Sequence, residues 1–255
     1  MPIWDPNQYL KFADHRLRPA LDLLARIDLD TPAAIVDLGC GAGNVTAHLH
    51  RRWPSARMIG VDGSTEMLAK AKGTLPTAEW VEADIARWDA PDQVDLVYSN
   101  AALHWLADHG RLFPRIMGWL RPNGVLAVQM PRNYEAPSHT LILDTARSGP
   151  WREKLTSILR PSPVAAPEAY WRFLSPHCRR LDIWETVYMQ AMEGENPIAE
   201  FTKGTALKPL LDALDGPDRE AFETAYRARV AAAYPREADG RTLFPFRRMF
   251  IIAER

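Results

Sequence analysis

The sequence predicts an α/β protein built on a doubly wound, mostly parallel sheet. Three observations predict it. Apolar strand-like runs alternate with helix-like segments across the first 130 residues. Those runs are continuously apolar, as strands covered on both faces must be. A glycine-rich turn joins the first run to the next helical segment, where open α/β sheets hold their ligands.

The elements follow in order. Residues 17–28 place Leu17, Leu21, Leu24 and Ile27 at helical spacing, with Pro19 in a first turn. Residues 33–39 (AAIVDLG) read as a buried strand, and 44–53 as a helix capped by Asn44. The second strand is 57–62, followed by a helix around 64–73. The third strand is 79–83 and the fourth 94–99. A helix near 108–120 leads to the fifth strand, 124–130. After Pro131 the pattern changes. Residues 138–160 look helical but interrupted, and 178–190 alternate like a strand. Residues 197–214 and 217–233 read as two helices, and 243–252 as a last strand. The chain has 21 prolines, and those in this half read as cutting it into irregular pieces. No internal repeat or low-complexity tract is present.

Composition narrows the function. The 31 Lys+Arg against 32 Asp+Glu give a formal net charge of −1, without the basic excess of a large nucleic-acid footprint. Hydrophobic residues at 47% and charged residues at 25% are ordinary globular values, and disorder is excluded as a global description. No apolar run reaches the roughly 20 residues of a membrane helix. The opening MPIWDPNQYLKFADHR lacks a charged-then-apolar leader, so a cytoplasmic location is expected. Two cysteines, Cys40 and Cys178, make neither a disulfide framework nor a four-thiolate zinc site. The seven histidines lack metal-ligand spacing, and no metal is expected. The nine tryptophans read first as core filling.

The chemistry sits in Asp37-Leu38-Gly39-Cys40-Gly41-Ala42-Gly43-Asn44, between a strand and a helix. Glycines let the backbone turn sharply and approach a ligand, with the N–H groups of the helix start turned outward. The dinucleotide pattern G-x-G-x-x-G fails, because Asn44 stands where the third glycine belongs. Instead an acidic residue precedes G-x-G-x-G by two positions. Further acidic residues end the next strands: Asp62 in Gly60-Val61-Asp62, Asp84 before Ile85 in Val81-Glu82-Ala83-Asp84-Ile85, and then Asp95 to Asn100. Asp62 is placed to accept from both ribose hydroxyls of a nucleoside.

These motifs resemble class I S-adenosylmethionine-dependent methyltransferases. The resemblance implies a seven-stranded sheet in which 243–252 runs antiparallel between the fifth strand and 178–190. It also implies that Asp84 faces the adenine amino group, with Ile85 beside the ring, and that Asn100 borders the methyl donor. Trp4-Asp5-Pro6-Asn7-Gln8-Tyr9, Phe12, Arg16-Leu17-Arg18-Pro19-Ala20, Ala101-Ala102-Leu103-His104-Trp105-Leu106, Val128-Gln129-Met130-Pro131 and Phe246 to Ala253 look like the trans-aconitate 2-methyltransferase family. That family resemblance implies esterification of a trans-aconitate carboxylate, with S-adenosylhomocysteine as the second product. The expected organisation is one domain, 1–255, with a cofactor-binding half at about 30–130 and helical insertions at about 131–177 and 191–242 folding over the site. The oligomeric state is unspecified.

A carboxylate is ionised at pH 7, with a reference pKa of about 4, and needs no general base. A tricarboxylate does need cationic partners, preferably arginine. Alternation along 243–252 turns only one of Arg247 and Arg248 to the site, and the family resemblance favours Arg248. A solvated arginine on a sheet edge is the alternative. Trp105 is a wall against water or plain packing. His139 and Tyr234 are the expected hydrogen-bond partners of the acceptor. Arg16 is the expected partner of the methionine carboxylate, with helix flanking as the alternative. The cofactor set is therefore Arg16, Asp37, Gly39, Gly41, Asp62, Asp84, Ile85 and Asn100. A quinone, phenol or amine acceptor, or a non-catalytic S-adenosylmethionine-binding role, remains open. Nucleic-acid methylation is disfavoured, because Ser99-Asn100-Ala101-Ala102 lacks the Pro-Pro-aromatic element of base-amino methyltransferases.

Overall fold

The computed structural model describes residues 13–159 and 162–255, with side chains from Leu17 onward. The Trp4, Tyr9 and Phe12 block and the side chain of Arg16 lie outside the described residues.

The first half builds a sheet strand by strand. Helix α1 (Ala13–Ala25) leads into β1 (Ala34–Leu38), whose five residues are all buried. Then come α2 (Asn44–Arg52), β2 (Arg57–Asp62), α3 (Thr65–Thr74), β3 (Glu79–Glu82) and β4 (Val94–Asn100). A short turn at Leu103–Trp105 precedes α4 (His109–Gly118) and β5 (Leu120–Pro131). α1 begins earlier than its periodicity predicts, so Pro19 lies inside it rather than in its first turn. The helix is held to the sheet by the Tyr98 hydroxyl, which donates to the Ala20 carbonyl at 2.7 Å.

The second half contains α5 (Pro137–Ser148), α6 (Arg152–Thr156), α7 (Pro167–Leu174), β6 (Arg180–Met192), α8 (Pro197–Lys203), α9 (Lys208–Asp212), α10 (Gly216–Ala233) and β7 (Thr242–Glu254). This corrects the reading of its prolines. Pro137, Pro167, Pro197, Pro209 and Pro217 all stand at the first or second position of a helix. There the missing N–H would have been unsatisfied anyway and the fixed φ suits the helix, so these prolines start regular structure. The helix expected over 197–214 is two, parted after Gly204.

The seven strands form one sheet in the order β3-β2-β1-β4-β5-β7-β6. β1 to β5 pair in parallel, and β7 pairs antiparallel with β5, from Val125↔Glu254 to Pro131↔Arg248. The order reverses between β1 and β4, which marks their carboxyl ends as the ligand crevice.

The chain divides into two units. The sheet unit is Arg16–Pro131, Pro163–Thr186 and Arg248–Arg255. Residues 163–177, expected in the first insertion, group with it. Tyr170 of α7 packs edge-on against Phe113 of α4 at 5.0 Å and donates to His109 Nδ1 at 2.6 Å, because His109 Nε2 is spent on the Leu103 carbonyl. The helical unit holds the described residues of Arg132–Ser162 and Val187–Arg247. It has its own core, including Trp151, Leu155, Phe222, Phe244 and Phe246. No helix among the described residues is long and apolar enough to cross a membrane.

Candidate active site

The glycine turn leaves β1 at the switch point. Its Gly39 and Cys40 N–H groups both donate to the Val61 carbonyl, at 2.7 and 3.1 Å. Gly39 has φ +74°, and a Cβ there would lie 2.1 Å from the Cβ of Ala102 and 3.6 Å from Ile85 Cδ1. Glycine is required here by its neighbours as well as by its backbone. Gly41 has φ +53°, but a Cβ on it would meet nothing within 4 Å among the described residues. The turn therefore packs on the start of the post-β4 segment at Gly39 and faces open space at Gly41.

Asp62 braces this turn. Its Oδ2 accepts from the Gly41 N–H and its Oδ1 from the Ser64 N–H, both at 2.9 Å. Each oxygen keeps a second acceptor site, since a carboxylate offers about four lone pairs. Asp37 is buried and 2% exposed. Its Oδ2 accepts from Thr46 Oγ1 at 2.6 Å. Burial is the main force on its carboxyl. The Thr46 bond pulls the other way and the Asp62 charge adds to the rise, and the pKa is pushed up to about 7.

Asp84 is exposed, and its Oδ1 accepts from the Ala86 N–H at 2.9 Å, closing a small turn. The Ile85 carbonyl accepts from Arg115 Nη2 at 2.8 Å, which fixes the loop beside Gly39. Asn100 ends β4 opposite Gln129 of β5, and its buried Oδ1 has no partner among the described residues. Ala101 follows with φ +52°, an uncommon conformation for a residue with a Cβ. Strain of this kind gathers at functional sites.

The next residues lead to the arginine. His104 is buried, and its Nδ1 has no partner among the described residues. Burial, Arg248 and then His109 depress its pKa to about 3, so the ring is neutral at pH 7. Trp105 lies beside it, with ring centroids 4.6 Å apart, and is 56% exposed. Arg248 is 3% exposed, so the reading of a solvated edge arginine is excluded. Its Nη1 donates to Gln129 Oε1 at 3.4 Å.

The helical unit holds the other two expected residues, His139 and Tyr234, joined through Ser138. The Tyr234 hydroxyl accepts from the Ser138 N–H at 3.1 Å, and His139 Nδ1 lies 3.0 Å from Ser138 Oγ. Burial depresses the His139 pKa to about 4. The Ser138 carbonyl accepts from Tyr226, and Asn133 Nδ2 donates to its hydroxyl. Sequence reasoning misses Ser138 and Gln129. Gln129 has a signal, a lone amide inside the apolar run GVLAVQM.

A family model described as "Methyltransferase domain" matches residues 35–124, the stretch carrying the glycine turn and the ends of β2 to β4. A trans-aconitate 2-methyltransferase of Azoarcus sp. (strain BH72) is 50% identical over 255 residues, covering 100% of each chain. The chain belongs to the trans-aconitate 2-methyltransferase family. Solved structures agree on the fold of this family member. The YcgJ protein from Bacillus subtilis superposes with a TM-score of 0.61 at 14% identity, covering 95% of this chain and 98% of that one. An S-adenosylmethionine dependent methyltransferase from Mesorhizobium loti gives 0.53 at 20% identity, covering 92% and 96%.

Proposed function

We propose that this chain transfers the methyl group of S-adenosylmethionine to a carboxylate of trans-aconitate, giving a monomethyl ester and S-adenosylhomocysteine. The observation that carries the reading is a line of contacts at the switch point. Gly39 meets Ala102, Asn100 just before it pairs with Gln129 of β5, and the Gln129 side chain accepts from the buried Arg248. A guanidinium thus stands at the ligand edge of the sheet, next to a turn shaped for a nucleoside. The name borne by the Azoarcus relative supports the acid as acceptor.

The residues fit the cofactor. Gly41 opens outward, Asn100 offers a buried acceptor oxygen, and Asp62 keeps lone pairs directed away from its two backbone donors. In this reading Gly39 and Gly41 shape the turn and Asp62 holds the ribose. Asp84 and Ile85 border the adenine, and Asp37 and Asn100 accept from the amino-acid end. When bound, S-adenosylmethionine supplies an electrophilic methyl carbon on a sulfonium. The protein's work is then alignment and exclusion of water, because an acceptor carboxylate is already ionised. No residue needs to act as a base, which agrees with a His104 ring that stays neutral. Arg248 anchors the acid and Trp105 shields the reacting pair. The two free thiols support a cytoplasmic location.

The test is to incubate the protein with S-adenosylmethionine and trans-aconitate and follow both products by mass spectrometry. The expected result is S-adenosylhomocysteine and monomethyl ester in equal amounts. Absence of ester, with cofactor binding intact by calorimetry, would overturn the choice of acceptor.

A further inference from the structure

We infer that Gln129, Arg248 and the ring of His104 form a socket for an acceptor carboxylate other than the one that is methylated, so the enzyme requires at least a dicarboxylate. The inference rests on the acid-acceptor reading above and adds which part of the acid is gripped.

Position comes first. Gln129 lies opposite Asn100 on β4, and Arg248 lies opposite Pro131, two residues beyond Gln129 on β5. Residues two apart on a strand share a face, so Asn100, Gln129 and Arg248 stand on the same side of the sheet at the ligand edge. His104 follows directly from β4.

Satisfaction comes next. Gln129 is 0% exposed. Its Oε1 is oriented by Arg248, which leaves the two N–H donors of Nε2 with no partner among the described residues. His104 Nδ1 is likewise buried without one. Orphaned buried polar atoms are rare in native proteins, because each loses its hydration and receives nothing in return. Two at the ligand edge of the sheet, one of them on a side chain bonded to a buried guanidinium, describe a place where a ligand completes the bonding.

The chemistry selects the ligand. The amide nitrogen and the guanidinium are donors, and a neutral imidazole offers one N–H. Planar donors of this kind fit a planar oxyanion, which a carboxylate is. A carboxylate gripped in this way has its lone pairs engaged and its charge neutralised, so it is a poor nucleophile. The oxygen that attacks the methyl carbon must keep a lone pair along the line to sulfur. One carboxylate cannot do both, so the socket takes the spectator.

A carboxylate could also come from the cofactor's amino-acid end, and the experiment separates the two sources. Gln129→Glu keeps the shape of the side chain while replacing its donors with a charge. Arg248→Lys keeps the charge while losing the planar fork. Each variant is titrated by calorimetry with S-adenosylhomocysteine, and then, with that product bound, with propane-1,2,3-tricarboxylate and with butanoate. The expected result is tricarboxylate binding weakened by roughly tenfold to a hundredfold in both variants. S-adenosylhomocysteine affinity should stay within about twofold, and the preference for tricarboxylate over butanoate should shrink accordingly. Loss of S-adenosylhomocysteine affinity in the folded Arg248→Lys protein would place the cofactor's carboxylate in the socket and overturn the inference. Wild-type tricarboxylate binding in both variants would overturn it too. If the wild-type chain makes the ester while either of those results holds, only the socket falls. If it makes no ester, the acceptor reading falls first.

Discussion

Replacing Asp37 with Asn should make the cofactor-free protein more stable above neutral pH while weakening its grip on the methyl donor. The carboxyl is buried, and its pKa is pushed up to about 7 from an ordinary value of 3.8. Below pH 4 both folded and unfolded chains carry the proton and the group is neutral to stability. As pH rises toward 7 the unfolded chain gives up its proton while the folded one keeps it, so stability falls. A rise of this size corresponds to a loss of about 4 kcal/mol, nearly complete at pH 7 and constant above about pH 8. Roughly 3 kcal/mol of it accrues between pH 5 and pH 8. Asn is isosteric and can still accept from Thr46 through its carbonyl oxygen, but it does not titrate. Urea unfolding at pH 5 and pH 8 measures the effect. The advantage of Asp37→Asn over wild type should grow by about 2–3 kcal/mol between the two pH values. A bound cation favours the ionised carboxyl, so wild-type affinity for S-adenosylmethionine should rise from pH 6 to pH 8, and the variant's should stay flat. An advantage that does not change with pH would show that the penalty does not come from ionising this group.

Two further outcomes follow from the turn and from the thiols. Gly39→Ala should cost about 1–3 kcal/mol from its backbone conformation alone, and more from the 2.1 Å approach to Ala102. Gly73→Ala, in α3 with nothing within 4 Å, should instead stabilise by about 0.4–1 kcal/mol, and equal effects in thermal unfolding would contradict both expectations. Cys40 should resist iodoacetamide at pH 8, because burial and then the nearby Asp37 and Asp62 carboxyls push its thiol up. Cys178, less buried and raised by burial alone, should alkylate first, and the order is read by peptide mass spectrometry.

The first half of the fold was legible because its signals are local. A glycine turn, an apolar run and an acidic strand end each occupy a few consecutive residues, and the register of a parallel sheet then brings the ends together. The second half was read less well because proline carries opposite meanings by position. Pro167 begins α7, yet without neighbours it reads as a break. Within the site, strand alternation allowed only one of Arg247 and Arg248 to face the ligand edge and the family resemblance chose Arg248, but its burial was not legible, since burial depends on what covers a strand. Ser138 carried no signal at all. Its bonds reach Tyr226 and Tyr234, 88 and 96 positions away, and nothing in its own neighbourhood points to them. Asp62 was legible as an acidic strand end, but its bracing of Gly41 was not, because that bond crosses between two turns.

The place of β7 in the sheet bears on how the molecule assembles. It comes last of the seven strands in chain order, yet it lies between β5 and β6 and not at an edge. During vectorial synthesis β6 emerges before the strand that joins it to the rest of the sheet. Until Arg248–Arg255 leave the ribosome, β5 presents an open, apolar flank, and pairing across more than a hundred residues must wait. Long-range closure of this kind slows folding and leaves an exposed edge to which other chains can bind. A nascent chain of this fold therefore has its greatest need of protection in the interval between the emergence of β5 and that of β7.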